Sequence, residues 1–585
     1  MSKLIVDQKT IEDLFSAKKA DFLIPDYQRP YAWGEDECQT LWNDIFEFAF
    51  PNNNCDAFNS DSDEYFLGPI VTFKNDRGQL EVIDGQQRLT TLMLLLRAFY
   101  DKFKNMQDEN SKDTRENIAK CLWKTNEFGR PKMDELKIDS EVATDNDKDE
   151  FLSILRTGQV TKEQTSKYAQ NYRFFQKKID EFLSGYPSYF AFLPTRILNN
   201  CILLPIEAET QDTALRIFST LNDRGLPLSD SDIFKAQFYK FYTSIGKKDE
   251  FISAWKVLEA RCDEIFQPIS GTPMDELFTR YMYYIRAKQG NTNSTTEALR
   301  KFYEKDGYAL MKNEQTLRDV QGLADFWKDV ADQNEDRFTE RVLKRLFVLH
   351  YAPNGMWTNF VSVYYMHHKD SEGMLDEETF YNFLHKITAF IWAYSIFKPG
   401  VNSLRTPIYA EMVKLVQGKN VTFDDYKFDE KNIRSMFNNY GFYNGRPITK
   451  AMLAWWAFND DSQPLIKPLE TAFDIEHIFA RNRVQYNALS DKRSLELLGN
   501  KSLLERRINI RASDYKFVDK KKYYYGFTTA RNIPKEGTKI EELVQLANTH
   551  SDFTENDINE RNTAVIEGFI EYLRKNDLLD KPSAR

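Results

Sequence analysis

The chain has 585 residues, 42% of them hydrophobic, 29% charged and 14% aromatic. That length exceeds what one hydrophobic core serves, and that composition excludes a globally disordered chain, so two to four domains are expected. The formal net charge of −10 is modest and leaves nucleic acid open as a partner, because local rather than total charge decides such contacts.

The opening stretch, Met1 to Phe15, has no long apolar run and no small-residue cleavage site, which speaks against a secretory leader. The best apolar run, Leu89 to Tyr100, is too short to span a bilayer and is broken by Arg97. A cytoplasmic protein without membrane contact is expected. The five cysteines are far apart and form no CxxC pair, so they read as reduced, partly buried small hydrophobes.

Residues 1 to about 104 read as mixed α/β. Thr10 and Asp13 make a capping-box pattern ahead of a short helix. Tyr65 to Phe73 reads as a strand, or as two short strands around Gly68-Pro69. After the turn Asp76-Arg77-Gly78, Leu80 to Ile83 is a strand that ends in Asp84-Gly85, and a largely apolar helix starts near Leu89. Three polar strings stand out in this part: Ile24-Pro25-Asp26-Tyr27-Gln28-Arg29-Pro30-Tyr31-Ala32-Trp33, Phe66-Leu67-Gly68-Pro69-Ile70, and Asp84-Gly85-Gln86-Gln87-Arg88. In the last, a strand ends, a glycine turns the chain, and the free amides of a new helix offer an anion site. Gln86, Gln87 and Arg88 could add donors, and Arg88 could grip a phosphate in bidentate fashion. Asp84 could position a metal or a water. Equally, Asp84 could simply cap the helix while Arg88 pairs with an acid. Tyr31 and Trp33 could stack on a base; the preferred reading makes them core residues of a small domain.

Residues 105 to 150 are polar, and positions 134 to 150 hold eight acidic residues against two lysines. That stretch reads as an insertion or solvated face, mobile in part. Helical spacing returns from 151, followed by the strand-like run Ile202 to Ile206. The string Phe218 to Asp232 carries the turn Asp223-Arg224-Gly225 and a capping box from Ser229 to Asp232. It places Asn222 and Arg224 on an ordered loop that either approaches a ligand or is only a turn.

Residues 246 to about 460 are helical by periodicity, rich in aromatics and poor in strand signals. An extended run, Phe473 to Phe479, then contains Asp474-Ile475-Glu476-His477-Ile478. Leu498-Gly499-Asn500 begins 21 residues after the histidine, and Asn509 lies nine beyond Asn500. Hydrolysing a phosphodiester needs a base for the nucleophile and positive charge at the phosphate. An imidazole can supply the first near neutral pH, and a hard cation held by carboxylate and amide oxygens the second. Of six histidines, only His477 sits beside a pair of acids and is followed by a glycine-asparagine step. Residues 481 to 531 carry thirteen Lys or Arg against five Asp or Glu, an excess of +8 in an acidic protein. That excess suits a phosphate-backbone surface, with Arg506, Arg507, Arg511, Lys516 and Lys521 as its candidates. Asp474 and Glu476 share one face of a regular strand, opposite His477, so the strand is expected to end or distort near Glu476 if base and metal ligand are to meet. Thr554 to Asp557 then opens a last helix, ending near Arg574.

Residues 473 to 522 resemble an HNH, or ββα-metal, nuclease motif, and more narrowly the C-terminal nuclease domain of GmrSD-like type IV restriction enzymes. The residues that carry the resemblance are Asp474, Glu476, His477, the run Leu498-Gly499-Asn500-Lys501-Ser502-Leu503-Leu504, then Asn509, then Phe517-Val518-Asp519-Lys520. One departure is Ala480, where the family has proline; no chemical group is lost. The resemblance implies His477 as general base, Glu476 or Asp474 with Asn509 on Mg²⁺ or Mn²⁺, Asn500 steadying the loop, and Lys520 at a phosphate or the transition state. The N-terminal strings resemble the ParB/sulfiredoxin-like domain of the same enzymes, over roughly residues 8 to 100 and 200 to 240. That domain binds and hydrolyses nucleoside triphosphates. The resemblance implies a nucleotide site of Gln28, Arg29, Asp84, Gly85, Gln86, Arg88, Asn222 and Arg224. The sequence has no P-loop pattern, so any such hydrolysis is of another kind.

The expected architecture is a multidomain α+β protein. A ParB/sulfiredoxin-like α/β domain spans 1–245, with the acidic insertion near 105–150. A helical middle domain spans 246–465, and a ββα-metal nuclease domain with C-terminal helices spans 466–585. The expected activity is nucleotide-regulated, metal-dependent cleavage or nicking of double-stranded, modified phage DNA, by a single subunit or a homo-oligomer. The rivals are a nucleotide-controlled DNA-binding protein with little nuclease activity, and an RNA-cleaving toxin-like nuclease.

Overall fold

The computed structural model describes residues 5–142, 145–211, 213–214, 217, 229–400, 402–469, 471–485 and 489–580. It divides into two compact units, Met1–Val257 and Leu258–Arg585. N- and C-terminal α+β parts flank a largely helical middle region. Among the described residues, no helix is long and apolar enough to cross a membrane. All five cysteines are buried and unpaired.

The first unit is built on a seven-stranded mixed sheet. Its strands are β1 (Ile5–Val6), β2 (Lys9–Thr10), β3 (Phe22–Ile24), β4 (Tyr65–Lys74), β5 (Leu80–Asp84), β8 (Ile138–Ser140) and β9 (Cys201–Ala208), and a separate hairpin pairs β6 (Trp123–Thr125) with β7 (Pro131–Leu136). The order is β1-β9-β4-β5-β3-β8, with β2 also on β9. Two-residue alternation sends Ile70 and Val82 to one face and Val71 and Ile83 to the other. The first face carries the main core, into which the helix Gln86–Phe103 buries nearly every side chain from Leu89 to Phe99. A helix so apolar all round is a core element, which explains its lack of a polar stripe.

The expected caps are present: Thr10 Oγ1 accepts from Asp13 N, and Ser229 and Asp232 bond reciprocally. Tyr65–Lys74 is one strand rather than two, and its register slips at Phe66/Gly68 to absorb the glycine-proline step. The acidic stretch differs from the solvated segment its composition predicts. Ile138–Ser140 is the edge strand of the main sheet, and Lys137 is fully buried with its ammonium on the Ala17 carbonyl. The apolar residues that do this, Leu136, Ile138 and Val142, are too sparse among the acids to raise a periodic signal.

In the second unit, long helices such as Pro273–Lys288, Glu314–Ala331 and Glu377–Phe397 pack through many aromatic rings. They lead to a ββα element: β10 (Phe473–His477) pairs antiparallel with β11 (Lys501–Glu505), and the helix Arg506–Ala512 follows at once. Next come the helix Phe517–Tyr525, a hairpin of β12 (Gly526–Thr528) and β13 (Pro534–Glu536), and the helices Glu541–Thr549 and Glu555–Lys575. The last is opened by the expected box, with Thr554 N and Oγ1 both donating to Asp557.

Candidate functional site

β10 stays regular through His477, which stands opposite Lys501, while Glu476 stands opposite Ser502. The strand ends at His477, one residue past Glu476, and does so without a distortion before that point. Glu476 and His477 therefore leave the strand on opposite faces. Asp474 and Glu476 share the face toward the helices Arg506–Ala512 and Phe517–Tyr525. Lys520 donates to Glu476 Oε1 at 2.8 Å and to the His477 carbonyl at 2.7 Å, and the Tyr524 hydroxyl donates to the same Oε1 at 2.6 Å. One helical turn separates Lys520 from Tyr524, which is why both reach one carboxylate. Burial pushes the Glu476 carboxyl up from its ordinary range, Lys520 and Tyr524 oppose that rise, and nearby Asp514 adds to it. Asp514 is itself held by Asn482 at 2.7 Å. Asp474 is more open and accepts from Arg506 Nε at 3.1 Å.

His477 is partly buried, beside charged groups rather than in an apolar pocket. Burial, then Lys501 and Arg481, pull its pKa down to about 3, and Glu496 opposes them. Glu496 bridges those two cations, with Arg481 at 2.8 Å and Lys501 at 2.6 Å. A pKa that low leaves the imidazole neutral but a weak base, below the near-neutral value at which a general base works best. Its Nε2 is buried without a hydrogen-bond partner.

Asn500 ties the chain beyond His477 to β11. Its Oδ1 accepts from Phe479 N at 2.7 Å, its amide donates to Phe479 O and Leu495 O, and its carbonyl accepts from Ile478 N. The Leu498-Gly499-Asn500 turn is clamped from behind by Arg561. One guanidinium nitrogen donates to the carbonyls of Leu498, Gly499 and Lys501, and the other side of the fork pairs with Glu542. Gly499 lies so close to the helix Glu555–Lys575 that an added Cβ would fall 1.9 Å from the Ile558 carbonyl. Glu496, Tyr524, Glu542 and Arg561 escaped the sequence reading. Only Tyr524, four residues after Lys520, had a spacing that could have disclosed it.

A hard cation would take oxygen donors here. Asp474, Glu476 and Asn509 offer that type of ligand, and each carboxylate has only one oxygen engaged by a cation. Among the described residues, no three His, Cys, Asp or Glu side chains gather into a cluster. The basic face is uneven. Arg506 is paired with Asp474, Arg511 donates to the carbonyls of Arg507 and Glu536, and Lys521 donates to the His550 carbonyl. Arg507 and Lys516 are exposed.

In the first unit, Gly85 has φ 90° and starts the helix Gln86–Phe103. Asp84 accepts from Gly85 N at 2.7 Å; burial raises its pKa, while Arg88 and Arg29 nearby lower it. Arg88 donates to the Pro69 carbonyl at 2.9 Å. Gln28 is buried and donates to Val82 O and Ile83 O, and Gln86 donates to Arg29 O. Gln87 accepts from Ala32 N and Trp33 N and donates to Pro30 O. These amides therefore hold the 28–33 segment against the strand-helix turn, with Asp84, Arg88 and Arg29 sharing one electrostatic neighbourhood. Tyr31 is a core residue, stacked on Tyr168 with its hydroxyl 2.6 Å from Thr91 Oγ1. Asn222 and Arg224 lie outside the described residues, as does most of their loop.

Family comparison matches residues 11–239 to the N-terminal domain of the GmrSD restriction endonuclease and residues 427–567 to the C-terminal domain of GmrSD restriction endonucleases. No curated protein matches the chain.

Proposed function

The chain belongs to the GmrSD restriction endonuclease family, and from that premise we propose that it cuts DNA at the β10–β11 site under the control of a nucleoside triphosphate bound at the Asp84–Arg88 turn. The observation that carries the nuclease reading is a braced ββα element whose first strand ends at a half-buried His477, with the carboxylates of Asp474 and Glu476 on the other face of the same strand. His477 accepts the proton of the attacking water. Asn500 fixes the chain that follows the base. Lys520 and Tyr524 fix the Glu476 carboxylate. Mg²⁺ or Mn²⁺ on Asp474, Glu476 and Asn509 would supply charge neutralisation at the scissile phosphate. Arg507 and Lys516 meet the DNA backbone. One such centre cuts one strand, so nicking by one subunit, or paired action by two, is the expected mode.

In the first unit, Arg88 and Arg29 face the phosphates, with the amides of the 86–103 helix start. Gln28 and Gln86 shape that site through the backbone they brace. The preferred DNA is modified phage DNA.

The test is nicking of supercoiled DNA under Mg²⁺ and Mn²⁺, with and without each nucleoside triphosphate, by the parent protein and by His477→Ala. Metal-dependent nicking that His477→Ala abolishes supports the reading. DNA retardation without nicking under every condition refutes it, as does faster cleavage of RNA than of DNA by the same preparation.

A further inference from the structure

The β12–β13 hairpin has no role in the site described above. It is a two-stranded ribbon, Gly526↔Glu536, Phe527↔Lys535 and Thr528↔Pro534, closed by a turn in which Thr529 and Ile533 bond to each other and Asn532 takes φ 57°. From Ala530 to Glu536 every residue is exposed, including Ile533 at 50%. A lone hairpin is marginal in water and earns its order from what it packs against. Among the described residues it is held at its root and by the Phe527 ring, which meets Tyr523 edge-on at 5.3 Å. Thr538 N donates to Tyr524 O at 3.0 Å, Arg511 donates to Glu536 O at 3.1 Å, and Glu505 accepts from Thr538 and Lys539. At the crossing, a Cβ on Gly537 would lie 2.4 Å from Tyr524 O and one on Gly526 would lie 2.7 Å from Gly537 N, so the root admits no side chain.

The root is continuous with the candidate active site. Tyr524, whose carbonyl anchors the hairpin, also donates its hydroxyl to Glu476. Glu505, which holds Thr538 and Lys539, is the last residue of β11. The projecting ribbon is therefore fixed rigidly to both strands of the ββα element.

Its surface fits a polyanion. Arg531 and Lys535 are exposed and make no ion pair among the described residues. Arg507 and Lys522, on the helices Arg506–Ala512 and Phe517–Tyr525, and Lys516, which caps the second, are exposed. From 506 to 536 there are nine Lys or Arg against three Asp or Glu. Pro534 and Lys535 sit on β13, one of the ribbon's two edges, and proline and lysine are residues that block strand addition, which disfavours a second copy of the chain as occupant. A two-stranded ribbon is also of a width that the DNA major groove admits.

We propose that the hairpin Gly526–Glu536 is a finger that docks on the DNA duplex beside the bond to be cut, with Arg531 and Lys535 as its contacts. This rests on the nuclease reading above. The experiment uses the full chain carrying His477→Ala, titrated with a 30-base-pair duplex over a range of salt, with and without Arg531→Ala/Lys535→Ala. Both positions are exposed, so thermal melting should not move. The expected result is roughly tenfold weaker binding and a salt slope smaller by about 2, the release of two phosphate contacts. With His477 intact, the double substitution should raise KM for the duplex and leave kcat at saturating DNA. Unchanged affinity and slope, in a parent that does bind DNA, overturn the finger and leave the nuclease reading standing. A change in oligomeric mass without a change in DNA affinity also overturns it, in favour of a contact between copies. A parent that neither binds nor nicks DNA overturns both.

Discussion

Lys520 Nζ and Glu476 Oε1 are 2.8 Å apart, and both side chains are almost wholly removed from solvent. Removing the cation from such a pair strands a buried carboxylate, which costs about 3–5 kcal/mol. Lys520→Met should lower the unfolding free energy by that order in a urea titration, and Glu476→Gln/Lys520→Met should recover part of it. A cost below about 1 kcal/mol for Lys520→Met, small by the same measure, would mean that the pair does not hold the strand end.

Arg561 spends three hydrogen bonds on the carbonyls of Leu498, Gly499 and Lys501, far in sequence from any nuclease motif. Arg561→Ala should loosen the turn that carries Asn500 and so misplace His477. A displacement of that kind lowers kcat by about 10²-fold with little change in KM. Arg561→Lys, which lacks the fork, should rescue poorly. Equal loss of kcat and of folded protein would reduce Arg561 to a stability residue.

Arg88 should carry nucleotide affinity without touching the nuclease chemistry. Losing a charged hydrogen-bond donor costs about 1.5–3 kcal/mol, so Arg88→Ala should weaken triphosphate binding by roughly 10- to 150-fold in calorimetry. Basal metal-dependent nicking should persist. Unchanged nucleotide affinity would remove the site from this turn.

Asn509→Ala should shift the divalent-metal requirement of nicking to higher concentration more than it weakens DNA binding. A metal titration that superimposes on that of the parent protein would take Asn509 out of the ligand set.

His385 provides a pH test of stability. Its Nδ1 lies 2.8 Å from the Tyr572 hydroxyl, and burial lowers its pKa from 6.5 to about 3. The folded-state value is depressed, so between these limits the unfolded chain binds a proton that the folded chain refuses. Its contribution is therefore complete above about 6.5 and is lost as pH falls toward 3. The slope approaches about 1.4 kcal/mol per pH unit for one proton. His385→Phe should flatten that dependence between pH 4 and pH 6, at about the same order. An identical slope in both proteins would show that other groups govern it.

What the sequence disclosed depended on how local each signal was. The caps at Thr10, Ser229 and Thr554 involve residues three apart and were legible as written. So was the strand-glycine-helix step at Asp84-Gly85-Gln86. The edge strand Ile138–Ser140 was hidden because its pairing partner, β3, lies more than a hundred residues earlier and its neighbours are acidic. The ββα strands around Glu476 and Asn500 were legible in part, but the contacts of their side chains were not. β10 ends at His477, next to where an end or a distortion was expected, and Lys520, expected at a phosphate or the transition state, is found on the Glu476 carboxylate and the His477 carbonyl. The brace from Glu542 and Arg561 had no sequence signal, because an arginine that caps loop carbonyls looks like any helix-surface cation until the loop is seen.

The parallel pairing of β4 with β9 joins Tyr65 to Cys201 and Phe73 to Ala208. The main sheet of the first unit therefore lacks a central member until the ribosome has passed residue 208. Over the roughly 130 residues between β4 and that point, synthesis at roughly 5–20 residues per second leaves the β4 edge without its partner for on the order of ten seconds. Yield from a fast expression host should consequently depend on holdase chaperones, and slower translation ahead of β9 would lengthen the hazard rather than relieve it.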